Sequence, residues 1–142
     1  MFNTIEVLAK SLSAARLRVN TLASNIANAE TTRTPEGGPY KRKDIIQMAV
    51  PVEDRFATEM DKASLASPVV AGVVEDQSAP RMVFQPGHPD ANKDGYVAYP
   101  NINVVTTMTD LMSATRLYQA NVTAVEAARD ISAEANRIST RT

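Results

Sequence analysis

The chain has 142 residues, enough for one ordinary domain or for a small domain with an extended element. Its formal net charge of −1 supplies no field that would hold nucleic acid or an anionic membrane. The absence of cysteine excludes disulfides, thiol catalysis and zinc–thiolate sites, and with no tryptophan and 5% aromatic residues a large aromatic-anchored ligand pocket is not expected.

The first expected element is a helix over residues 1–30. Met1, Ile5, Leu8, Leu12, Ala15, Val19, Leu22, Ile26 and Ala29 follow one another at alternating steps of four and three, a heptad register with one apolar seam. Neither Gly nor Pro interrupts it, and Thr34 and Pro35 lie just beyond its end. Such a helix would be roughly 45 Å long. The same segment is not expected to serve as a cleavable secretory signal, because it lacks a basic start, carries Glu6 early and is interrupted by polar residues. No stretch approaches the length of a membrane span.

At the end of that helix stands SNIANAETT, residues 24–32, with Asn25 and Asn28 three apart. Asparagine is a poor helix former because its amide competes for nearby backbone groups. Two readings stay open: a fraying last turn, or polar recognition of a neighbour that fixes helix register.

Residues 31–103 contain every Gly and every Pro of the chain. Ile46, Met48, Val50 and Val52 alternate with Gln47, Ala49 and Pro51, which predicts a strand, and Pro51 places it at an edge. Phe56, Met60 and Ala63 have the spacing of one or two helical turns. Residues 69–75, 81–85 and 96–99 are β-prone. Lys41, Arg42 and Lys43 read as an exposed strand edge in preference to a nucleic-acid patch. Gly37 and Gly38 are too few for a phosphate-cradling loop and lack the following Lys and Ser or Thr.

Residues 88–103, HPDANKDGYVAYPNIN, begin like a calcium loop, with Asp90, Asn92 and Asp94 at alternate positions and then Gly95. The twelfth position, where a bidentate carboxylate would complete the shell, is Asn101. Pro86, Gly87 and Pro89 stand where a flanking helix is needed. The stretch is therefore expected to be a polar turn, a brief extended run and a helix start near Asn103. His88, the only histidine, has no second ligand, nucleophile or base beside it and reads as a loop residue.

The last expected element is a helix over residues 104–140. Val104, Met108, Leu111, Thr115, Tyr118, Val122 and Val125 keep the four-three rhythm, after which the register slips to Ala128, Ile131, Ala135 and Ile138. Glu126, Asp130 and Glu134 recur at steps of four among Arg129 and Arg137, as on a solvated helix face.

The expected fold is mainly α, with two long terminal helices forming a coiled-coil-like pair and a small β-rich or irregular middle domain, divided at 1–30, 31–103 and 104–142. Narrow seams rich in Ala and Ser bury little area, and helix stability comes mainly from tertiary packing. The helices' similar expected lengths suggest an antiparallel pair with the chain ends together and the β-rich middle at the far end. The remaining apolar surface is expected to be covered by other chains.

LASNIANAETT, following an amphipathic N-terminal helix, resembles the signature of bacterial flagellar rod and hook proteins. TPEGGPYKRK, PGHPDANKDGYVAYPNIN and MSATRLYQANVTAVEAAR are similar to basal-body rod members of that axial family, so the resemblance covers nearly the whole chain. It departs from the broad signature where Thr32, Arg33, Thr34 and Pro35 replace a short Thr-x-Gly-aromatic ending. The resemblance implies a subunit of the proximal rod, packed through both terminal helices into a torque-transmitting helical tube. It also implies export through the flagellar type III apparatus without a cleaved signal, and assembly in the periplasm. The implied partners are further copies of the chain, other rod proteins, and the MS-ring and export-gate adaptor. It assigns no catalysis and no cofactor, and neither nucleic acid nor a membrane span is expected.

The expected subunit-interface residues are Ile5, Leu8, Leu12, Val19, Leu22, Asn25, Ile26 and Asn28 on the first helix. On the second they are Met108, Leu111, Tyr118, Gln119, Asn121, Val122, Val125 and Ile131. A soluble coiled-coil adaptor or binding module is the rival from another class, and would form a stable small oligomer. An enzyme would need its chemistry at His88, Asp90 and Asp94.

Overall fold

A computed structural model describes residues 2–51 and 66–139. The expected seam residue Met1, the strand residue Val52, the helical turns around Phe56, Met60 and Ala63, and residue 140 of the second helix lie outside the described residues. Helix α1 runs Phe2–Ala27 over 26 residues. Four strands follow: β1 (Lys43–Pro51), β2 (Ala66–Glu75), β3 (Arg81–Phe84) and β4 (Tyr96–Tyr99). Helix α2 then spans Val104–Ser139 over 36 residues. The expectation of a mainly α chain holds only roughly, since among the described residues 49% are helix and 22% are strand.

Both helix boundaries have local causes. Asn28 ends α1: its backbone N–H and its side-chain Nδ2 both donate to the Ser24 carbonyl, at 3.1 and 2.9 Å, satisfying an acceptor that the helix leaves orphaned. Asn103 starts α2 as its N-cap, accepting the Thr106 N–H on Oδ1 at 3.1 Å.

The helices lie antiparallel. Thr21 and Leu22 share a cleft with Asp110, and Ser11, Ala14 and Ala15 share one with Leu117 and Asn121. Ala15 and Ala114 are buried, as the close approach of two helix backbones requires. On α1 the expected seam faces inward: Ile5, Leu8, Leu12, Val19, Leu22 and Ile26 are half-buried, and Ala15 and Ala29 are buried.

On α2 the inward line differs from the expected one. It comprises Thr107, Leu111, Ala114, Tyr118, Asn121, Val125, Ala128 and Ser132, each buried or half-buried. This line keeps the four-three rhythm without a slip. The expected line instead followed the larger side chains Val104, Met108 and Ile131, which the fold leaves 39%, 52% and 62% exposed. Small and polar residues win because Ala15 opposite them draws the helices together. Their polarity carries little penalty: the hydroxyls of Thr107 and Ser132 donate to the carbonyls of Asn103 and Ala128, at 2.7 and 2.8 Å.

β1 and β2 form an antiparallel hairpin from Lys43↔Glu75 to Pro51↔Ala66, with a bulge after Ile46 that leaves Ala71 unpaired. The hairpin does not sit at the far end of the helix pair. It doubles back along α1, so that Pro68, Val69 and Val70 border the same cleft as Glu6, Ala9 and Leu17. Ala14 lies where α1, α2 and this hairpin meet. β3 and β4 make a second antiparallel pair, closed by an edge-to-face contact of Phe84 and Tyr96 at 5.3 Å.

Candidate assembly interface

Asn25 is wholly buried. Its Nδ2 donates to the Lys43 carbonyl at 2.8 Å, and its Oδ1 accepts the Lys43 N–H at 2.9 Å and the Tyr40 hydroxyl at 3.1 Å. The primary amide thus pairs with a backbone peptide as another strand would. It fastens the first residue of β1 to the last turn of α1. In the single chain the Asn25 side chain is thus engaged internally, with no exposed surface. Asn28 is also engaged locally, accepting the Thr31 hydroxyl at 3.2 Å in addition to its bonds with Ser24.

The turn in residues 85–95 is tied to the same end of the helix pair. Asp90 Oδ2 accepts the Thr32 hydroxyl at 2.8 Å, and Asp90 Oδ1 lies 3.9 Å from Arg33. Asn92 Oδ1 accepts the N–H groups of Asp94 and Tyr96, both at 2.9 Å. His88 Nδ1 accepts the Asp90 N–H at 3.1 Å. The side chains of the calcium-like spacing therefore serve separate partners: Asp90 braces the exit of α1, and Asn92 caps the turn. Gly95 has φ 80°, and a Cβ there would stand 2.8 Å from the Phe84 ring, so the turn needs glycine for both reasons. On the other face of the middle region Asp76 accepts the Ser78 N–H at 2.9 Å. That bond, the Ser78 hydroxyl and the Arg42 guanidinium hold its carboxyl below the usual carboxylate range.

The remaining surface carries many large apolar side chains. Among the described residues the buried hydrophobic side chains are four alanines, Ala14, Ala15, Ala29 and Ala114, and Val97. Far larger side chains stay outside: Val105 (76% exposed), Met112 (59%), Leu117 (51%), Ile131 and Ile138 on α2, and Ile46, Met48, Val73 and Val74 on the hairpin. Large apolar side chains left exposed in this number point to an interaction surface. Of the expected interface residues, Met108, Gln119 and Ile131 are exposed, whereas Leu111, Tyr118, Asn121, Val122 and Val125 are half-buried in the single chain. Sequence reasoning missed Val105 and Met112, although with Met108 they carry an i, i+3, i+7 signal. It also missed Tyr40 and Lys43 as partners of Asn25, for which no local signal exists.

Comparison with known proteins bears on this surface. The family model described as flagella basal body rod protein matches residues 5–33, and that described as flagellar basal body rod FlgEFG protein C-terminal matches residues 93–138. A flagellar basal-body rod protein FlgC of Borreliella burgdorferi is 36% identical over 141 residues, covering 92% of each chain. The FlgC of Bacillus subtilis is 36% identical over 138 residues, covering 90% of this chain and 91% of its own. That of Salmonella typhimurium is 36% identical over 123 residues, covering 86% and 85%.

Proposed function

The chain belongs to the FlgC family of flagellar basal-body rod proteins, and from that membership we propose that it builds the proximal rod by polymerising through its terminal helices. Its role is that of a structural rod subunit of the flagellar basal body, and not that of an enzyme. In this reading the subunits form a helical tube within the periplasm that carries torque. They reach it through the flagellar type III export apparatus without a cleaved signal. The neighbours are further copies of the chain and other rod proteins, with the MS-ring and export-gate adaptor at the base.

One observation carries the assembly part of the proposal. Among the described residues the buried hydrophobic side chains are alanines and a single valine, while Val105, Met108, Met112, Ile131 and Ile138 stay exposed along α2. A helix pair with so little buried area is marginal by itself, and covering the outer faces supplies the missing apolar burial. Met108, Gln119 and Ile131 are in this reading direct contacts between subunits. Ile5, Leu8, Leu12, Val19, Leu22, Ile26, Leu111, Tyr118, Val122 and Val125 hold the pair that presents them.

Far-ultraviolet circular dichroism of the purified chain over a dilution series tests this. Helicity and the thermal midpoint should both rise with protein concentration, because self-association stabilises the folded form by mass action. A fully helical monomer whose melting is independent of concentration would overturn the dependence of the helices on assembly.

A further inference from the structure

Among the described residues two apolar surfaces lie uncovered on different sides of the helix pair, and each has the form that the other requires. The first is a cleft of about 450 Å³ between α1 and β2, bordered by Ala9, Ser13 and Leu17 on the helix and by Pro68, Val69 and Val70 on the strand. By helical periodicity Ser13 and Leu17 point away from the Leu12, Val19 and Ile26 line that meets α2. Glu6 stands at one end of the cleft, with its side chain 60% exposed and joined to Lys10 at 2.8 Å. The second surface is the outer face of α2, where Val105, Met108 and Met112 are 76%, 52% and 59% exposed. Their i, i+3, i+7 spacing is the pattern by which an amphipathic helix seats in an apolar groove.

We infer that the Val105, Met108 and Met112 face of one copy seats in the α1–β2 cleft of a second copy of this chain, an inference that rests on the rod-subunit reading. Charge sets its direction. Arg116 is exposed one turn beyond Met112 on the same face. With α2 running antiparallel to the α1 of the second copy, Val105 falls beside Leu17, Met108 beside Ser13, and Arg116 reaches Glu6. The reverse direction carries Arg116 past Leu17, away from that carboxylate.

The contact also has a defined stagger. Within one chain Leu22 borders the same cleft as Asp110, so Met112 lies near the level of Asn20. Seating Met112 beside Lys10 of a second copy displaces that copy by about ten residues along the helix axis, or about 15 Å. Stripe and cleft are different surfaces, so the contact is heterologous. A heterologous contact with an axial step does not close into a ring and propagates as a helical row.

The chain has no cysteine, so single introduced thiols report the contact without background. Basal bodies are isolated from cells expressing differently tagged Ser13→Cys and Met108→Cys copies, and mildly oxidised. A disulfide-linked heterodimer of the two tags is expected, with a ladder of multimers from the doubly substituted chain. Glu6→Arg or Arg116→Glu alone should lower the yield severalfold, and the two together should restore it. Copies present in the basal bodies but not cross-linked, or Met108→Cys copies linked only to one another, overturn the cleft contact and leave the rod reading standing. A tagged, otherwise unaltered chain absent from basal bodies overturns the rod reading and the contact with it.

Discussion

A single buried amide sets the path of the chain out of α1. Asn25 replaces a missing strand partner for Lys43, satisfying both its N–H and its C=O, and Tyr40 completes the set. Truncating it in Asn25→Ala strands two backbone groups in a part-buried site, and each unsatisfied group costs about 1–3 kcal/mol. We expect a loss of about 3 kcal/mol in urea denaturation, against about 1 kcal/mol for Tyr40→Phe, which removes one hydroxyl and leaves the amide pair intact. Equal effects of the two substitutions would show that the backbone pairing contributes little. That Asn25 is unusual was legible from its place at the end of an apolar helix. Its partner was not, because Lys43 takes part through its backbone, which carries no signature in the sequence, and lies 18 residues away. The calcium-like turn is similar: Asn92 and Gly95 were legible as turn formers, whereas the bond from Thr32 to Asp90 joins residues 58 apart.

At the scale of elements, both helices and the four strands follow from local patterns: heptads free of Gly and Pro, alternation in β1, and Asn103 as a cap. The face that α2 turns inward does not. Hydrophobic size picked out Val104, Met108 and Ile131, but the seam is decided by how closely the backbones approach, which is a property of the pair. Ala15 and Ala114, exposed by only 3% and 4%, mark the place where a larger side chain would push the helices apart. Ala114→Leu should therefore destabilise the chain by about 1–3 kcal/mol through overpacking. Ser113→Leu places the same side chain at the neighbouring, exposed position of α2 and should stay within about 0.5 kcal/mol. Thermal melts of the two variants at matched concentration separate these expectations. A stabilised Ala114→Leu chain would mean that the helices meet less closely than their buried alanines indicate.

For the molecule as a whole, folding and assembly draw on different residues. The helices differ in length, 26 residues against 36, and because α2 begins beside the end of α1 the excess falls at its C-terminal end. Ile131 and Ile138 on those last turns are 62% and 66% exposed. Two exposed isoleucines two turns apart on one face of a projecting helix are poor surface residues unless another subunit covers them. The position of the hairpin was equally beyond sequence reasoning, since it depends on the Asn25 clamp, a contact between residues 18 apart. These considerations separate two outcomes for one variant. Ile131→Asp with Ile138→Asp replaces side chains already in water, so each change should alter the stability of the isolated chain by no more than about 0.5 kcal/mol. The same variant places two carboxylates where the assembled rod would desolvate them, and burying an uncompensated charge is strongly unfavourable. Incorporation into basal bodies should therefore fall sharply while the melting of the dilute chain is unchanged. If incorporation persists at the level of the parent chain, the projecting end of α2 faces solvent in the rod, and the apolar stripes nearer its start carry the assembly.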